Sequence, residues 1–141
     1  MRYVVIYWSR YGNGKKLVDY LAEKLKKKKS EVQIFKTDEA DPSNIPDADV
    51  YVFSAPTEAF NIQKNMKKFM KKLTGLEEKK YGIINTHSMK KSCLHKMEKL
   101  LSVQKMVKVA EVDVLVGDGS RTGDGLKENW KEKLDEFMDK L

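Results

Sequence analysis

Short apolar runs alternate along this chain with longer stretches whose apolar residues fall every third or fourth place. The runs suit strands, and the stripes suit one face of a helix. Arg2 to Trp8 is the first run, and Glu31 to Lys36 alternates apolar with polar positions. Ala48 to Ser54 and Tyr81 to Thr86 read as buried strands, and Val107 to Val116 closes the series. Between the runs, Leu17, Leu21 and Leu25 share one helical face, and Ile62, Met66, Phe69, Met70 and Leu73 form a second stripe. Cys93, Met97, Leu100 and Leu101 make a third, and Leu126, Trp130, Leu134, Phe137 and Leu141 the last. The segment from Thr37 to Asp47, with Asp41-Pro42 and Ile45-Pro46, is too short and polar for a long helix and predicts a loop with room for one turn. Strands alternating with helices predict an α/β domain: a parallel sheet covered on both faces and joined by right-handed crossovers. No repeat or linker composition interrupts the 141 residues, so residues 1–141 read as one domain with a core of ordinary size.

The junction of the first strand and the first helix carries the chemistry. Ser9-Arg10-Tyr11-Gly12-Asn13-Gly14 is a tight, glycine-bearing loop between a buried strand and an amphipathic helix. The N–H groups of such a loop and the positive end of the helix converge on one point, which suits an anion. Two well-known phosphate loops do not fit. A Walker loop needs glycine where Ser9 stands and a hydroxyl after its lysine, and the dinucleotide fingerprint needs a third glycine where Leu17 stands. A hydroxyl-and-glycine loop sized for a single phosphate remains.

This loop resembles the phosphate loop of the flavodoxin family, Ser/Thr-x-Thr-Gly-x-Thr directly after the first strand. Ser9 and Gly12 match, Tyr11 keeps a hydroxyl in place of the second threonine, and Gly14 lacks the last hydroxyl while keeping its N–H. The resemblance spans essentially the whole chain, at the length of the short-chain members. It implies a flavodoxin-like three-layer sandwich, a five-stranded parallel sheet of order 2-1-3-4-5, with FMN at the carboxyl ends of the strands where the order reverses. It also implies that two more loops sit beside Ser9, Arg10, Tyr11, Gly12, Asn13 and Gly14. The loop after the third strand supplies Pro56, Thr57, Phe60 and Asn61. There Phe60 either stacks on the flavin ring or packs onto the following helix. The loop after the fourth strand supplies Thr86, His87 and Ser88 to the pyrimidine end, with His87 either stacking or donating, or else standing in solvent. Family members often carry Gly, Asp or Tyr in that loop; this chain has Thr86-His87-Ser88-Met89.

Other chemistry is sparse. The single cysteine, Cys93, excludes a disulfide framework and a Cys-x-x-Cys motif, and its place on an apolar stripe reads as a buried filler. Two histidines and one thiol make a poor zinc site, and Ser9 has no base nearby in sequence to make it a nucleophile. No apolar run approaches a membrane span and no leader pattern is visible, so a cytoplasmic monomer is expected. The charge is unusual: 28 basic residues against 21 acidic, all but three of the basic ones lysine. Lys26 to Lys29 complement the end of the first helix, and Lys67, Lys68, Lys71 and Lys72 line the polar side of the second. This balance is that of a lysine-coated surface, and it also fits redox partner proteins with an acidic docking face. Scarce arginine and no aromatic interleaving argue against nucleic acid. The expected function is an FMN-binding electron carrier. Two alternatives stay open. One is a flavodoxin-type oxidoreductase, since Ser-Arg-Tyr-Gly-Asn also resembles the loop of flavodoxin-type protoporphyrinogen oxidases and Pro56-Thr57 that of quinone reductases. The other is a flavodoxin-fold module that has lost FMN.

Overall fold

In the computed structural model, which describes residues 1–117, 123–127 and 129–141, the first apolar run becomes a central strand, β1 (Arg2–Tyr7). Its side chains divide between the two faces with the period of two that strands impose. Val4 and Ile6 enter one core; Tyr3, Val5 and Tyr7 enter the other. A strand buried on both sides needs helices on both sides, and the chain supplies them. Helices α1 (Asn13–Lys27) and α4 (Trp130–Met138) cover the face of Tyr3, Val5 and Tyr7. Helices α2 (Lys64–Lys71) and α3 (Leu94–Val103) cover the opposite face. The remaining strands are β2 (Glu31–Lys36), β3 (Val50–Glu58), β4 (Asn61–Ile62), β5 (Lys80–His87) and β6 (Val107–Leu115).

The sheet runs β2-β1-β3-β5-β6 with every pair along that path parallel, and β4 folds back antiparallel onto the end of β3. The five long strands therefore take the order 2-1-3-4-5 anticipated from the resemblance, with one added two-residue strand. The strand order, not the strand direction, reverses about β1, so the loops leaving β1 and β3 diverge to opposite faces and open a crevice at their carboxyl ends. On β5, one strand in from the far edge, Gly82 lets α4 close onto the sheet: a Cβ there would stand 2.7 Å from the Phe137 ring and 3.0 Å from Leu141.

Four elements differ locally from the sequence pattern. The third strand runs on to Glu58, because a two-residue turn at Ala59 and Phe60 folds it into a hairpin with β4. Ile62 is therefore a strand residue, although it faces the same core as α2. Cys93 precedes α3 as its cap residue, buried as expected of a filler. Leu126 does not open the last helix. It bridges Val116, and Gly117 N–H donates to the Gly125 carbonyl at 2.8 Å, so the backbone at Gly125 and Leu126 is paired rather than helical, and the last helix starts at Trp130.

Candidate functional site

The carboxyl ends of β1, β3 and β5 frame a cleft of about 370 Å³. Ten of the residues expected from sequence line it: Ser9, Arg10, Tyr11, Asn13 and Gly14 after β1, Pro56 and Thr57 at the end of β3, Thr86 and His87 at the end of β5, and Ser88 just after it. Gly12, Phe60 and Asn61 stand outside the lining. Trp8, Glu58, Ala59 and Val116 belong to it and were missed, because what brings them in is the reach of one loop to the next rather than any local pattern.

The first loop is shaped by its own side chains. Gly12 takes φ +99°, a left-handed turn that glycine adopts without steric cost, and its N–H donates to Ser9 Oγ at 3.1 Å. Ser9 thus closes the loop from within. Asn13, buried at the first helical position, accepts from Gly125 N–H at 3.0 Å and ties the loop to the segment before α4. The cap residue of α1 is Gly12, which has no side chain to cap with, and no acidic residue stands in the first turn of the helix. A helix end left in this state presents backbone donors and a positive dipole, the combination that fits a phosphate.

Arg10 does not point its charge freely into the cleft. Its guanidinium donates to both Glu58 oxygens, at 2.8 and 3.0 Å, and lies 4.9 Å from the centre of the Trp8 ring. The hydrogen bonds to Glu58 raise the Arg10 pKa above its ordinary value. The pair is a clasp between the first loop and the end of β3. Lys15 and Lys16 are likewise engaged, with Asp19 at 2.7 Å and Asp124 at 2.9 Å.

Beneath the other two loops lies Asn85, wholly buried. Its Oδ1 accepts from Thr57 Oγ1 at 3.1 Å and from Cys93 N–H at 2.8 Å, and its Nδ2 donates to the Ala55 carbonyl at 3.0 Å. One amide therefore fixes the end of β3, the end of β5 and the start of α3 relative to one another. Nothing in the sequence distinguishes it from a strand residue, because its role depends on three segments far apart in the chain.

The two open alternatives of the sequence reading separate here. His87 is not a solvent-facing loop residue. It is 5 % exposed, with one ring nitrogen on Asp113 Oδ2 at 2.6 Å and the other on the Met89 carbonyl. Both ring nitrogens are engaged by acceptors, so His87 has no N–H left for a ligand and offers only its ring. Phe60 is not a staple on the next helix, being 72 % exposed. It shares with Ala59 the hairpin turn, both at positive φ (64° and 50°), and Lys96 Nζ donates to its carbonyl at 2.8 Å. Two adjacent left-handed residues form the turn that matches strand twist, one normally made by Asn-Gly.

A family model described as a flavodoxin domain matches residues 4–120. The chain belongs to the flavodoxin family. Solved structures agree on the fold. A Streptococcus pneumoniae TIGR4 flavodoxin superposes with a TM-score of 0.83 at 19 % identity, covering 100 % of this chain and 97 % of its own. The two-electron reduced Megasphaera elsdenii flavodoxin gives 0.75 at 14 % identity, covering 99 % of both chains. Rubredoxin oxygen:oxidoreductase from Desulfovibrio gigas gives 0.82 at 17 % identity over 99 % of this chain and 35 % of that one, so there the same fold is one part of a larger protein. No curated protein matches the sequence. Flavodoxins in general are FMN-binding electron carriers, and the family membership carries that general character. Among the described residues no helix is long and apolar enough to cross a membrane.

Proposed function

We propose that this flavodoxin holds FMN in the cleft between the three loops and passes electrons between redox partner proteins. The observation that carries this reading is the N-terminus of α1, with glycine at its cap and no acidic residue in its first turn, opening on a cleft that the loops after β1, β3 and β5 share. Residues Ser9 to Gly14 would take the phosphate through loop amides. Pro56, Thr57, Phe60 and Asn61 would serve the ribityl chain and one ring face, and Thr86, His87 and Ser88 the pyrimidine end. FMN supplies the electron chemistry, while the protein sets its binding and potential. Tyr11, Phe60 and Met89, one on each loop, are all exposed, and exposed Lys90 and Lys91 stand beside Met89. An apolar centre beside lysines fits a partner with an acidic docking face.

The deciding measurement compares FMN with riboflavin. Ser9→Ala combined with Asn13→Ala removes the loop's own closure and its tie to Gly125. FMN affinity then falls by about tenfold or more, while riboflavin affinity changes little. Equal losses for both ligands would remove the phosphate from this loop. A protein that binds neither flavin would favour the cofactor-free module. Turnover of a quinone with a nicotinamide reductant by the purified flavoprotein would favour the oxidoreductase.

A further inference from the structure

The cleft just described is not the largest opening in this molecule. A second cavity of about 650 Å³ lies on the β2 side of the same first loop. Its origin is topological. A parallel crossover normally carries a helix across the sheet face, but the connection from β2 to β3 contains only turns and loop, from Thr37 to Asp49. Phe35, Ala40 and Ile45 pack against the core there, yet the carboxyl ends of β1 and β2 stay uncovered as far as α2.

Cations converge on this opening from four elements. Arg10 comes from the first loop, Lys15 from α1, Lys36 from β2, and Lys68 and Lys72 from the α2 side, against one carboxylate in the lining, Asp38. Arg10 and Lys15 already have partners in Glu58 and Asp19. Lys36, Lys68 and Lys72 have no ion-pair partner among the described residues. Like charges gathered on facing walls repel, and a bound counter-anion relieves that repulsion. The volume lies within the usual range for small-ligand pockets. Because the charges line walls built by separate elements, and do not form one flat face, the fit is to a compact ligand rather than to a protein surface.

We propose that this second cavity binds a compact polyanion, a ligand carrying two or more adjacent phosphate or carboxylate groups, alongside FMN rather than in its place. Lysine ammonium groups donate in several directions and suit clustered anionic oxygens. Trp8, Ser9 and Arg10 line both openings, so the two sites meet at the first loop and Trp8 fluorescence reports occupancy.

The test is calorimetric and fluorescence titration of the purified protein, saturated with FMN and without it, using tripolyphosphate, adenosine triphosphate and citrate. One equivalent of at least one of them binds saturably and is not displaced by FMN. Preference for adenosine triphosphate over tripolyphosphate identifies a nucleotide, equal binding identifies the phosphate chain, and preference for citrate identifies a polycarboxylate. Lys36→Gln, Lys68→Gln and Lys72→Gln together weaken that binding by about tenfold or more. They leave FMN affinity within about twofold and the circular dichroism unchanged, since all three side chains are exposed. Absence of saturable binding, displacement by FMN, or wild-type affinity in the triple variant overturns the proposal. So does binding of a polyglutamate peptide where none of the three small anions binds, which would assign these lysines to an acidic protein.

Discussion

Gly123 shows how one residue far from the first loop can govern its shape. It sits at φ +81°, and a Cβ there would stand 2.7 Å from the Tyr11 carbonyl oxygen, a backbone atom that cannot swing away. Gly123→Ala therefore both strains its own backbone and pushes on the loop from Ser9 to Gly14. The expected loss is about 1–3 kcal/mol of stability together with weaker FMN binding, read by denaturant unfolding and flavin titration. Unchanged flavin affinity at reduced stability would uncouple Gly123 from the loop. Tyr81 acts on stability alone. Almost fully buried, it has its pKa pushed up to about 12, chiefly because burial penalises the phenolate. A group whose pKa rises on folding contributes stability that is complete below its unfolded value, about 10, and that is lost as pH climbs through the folded value. Burial raises Tyr3 and Tyr51 in the same sense. Urea unfolding from pH 8 upward is expected to lose stability steeply between about pH 10 and 12, less so in Tyr81→Phe. Parallel profiles for the two proteins would show that Tyr81 does not carry the transition.

At the scale of elements, the hairpin β3–β4 stands out because its turn holds two non-glycine residues in the left-handed region. Each such residue costs on the order of 1 kcal/mol or more, and the cost falls beside the cleft. Ala59→Asn with Phe60→Gly installs the residues this turn prefers. Unfolding free energy is expected to rise by about 1–2 kcal/mol. FMN affinity is expected to fall by up to about tenfold through the loss of the Phe60 ring. A rise in stability with unchanged affinity would remove Phe60 from the cofactor site. Elsewhere the elements follow their sequence more simply. Leu17, Val18, Leu21, Ala22 and Leu25 bury one side of α1, and its last turn gathers Lys24, Lys26 and Lys27 against the negative end of the dipole.

At the scale of the whole molecule, the net charge of +7 matters mainly through where it remains unpaired. Of the cations that the sequence places around the cleft, Arg10, Lys15 and Lys16 are bound to Glu58, Asp19 and Asp124. Lys90 and Lys91 have no ion-pair partner among the described residues and are exposed. They are therefore the residues expected to tune bound FMN. One cation about 10 Å from the ring at an effective dielectric near 20 favours an added negative charge by roughly 1.7 kcal/mol. At about 2.3 kcal/mol per 100 mV, that corresponds to a potential about 70 mV higher. The low-potential couple is thus expected to be less negative than in an acidic flavodoxin and to fall in Lys90→Glu/Lys91→Glu. Raising the salt should shrink the difference, because exposed charges are screened. Spectroelectrochemical titration at low and high salt checks this, and a couple unmoved by the double variant would refute it.

Alternation and stripe spacing determined the layers of this protein. Val4 and Ile6 had to part from Tyr3, Val5 and Tyr7, and a strand apolar on both sides had to lie inside a parallel sheet. The loop from Ser9 to Gly14 was legible because its glycines and hydroxyl are adjacent in sequence and act through local backbone geometry. Everything that depends on segments meeting across the sheet was decided by the tertiary structure. Leu126 carried a helix-compatible spacing and became a bridge to Val116, just past the end of β6, because that pairing outweighed local preference. Arg10 carried a charge that suited a phosphate and clasped Glu58, a partner forty-eight positions away. His87 looked like a loop residue and was buried by Asp113 from β6. Asn85 became the junction of three segments without any mark in its own surroundings. Periodicity reports which face a residue turns inward; only the folded chain sets which polar groups meet there, since hydrogen bonds and ion pairs act over a few ångströms between residues that sequence leaves far apart.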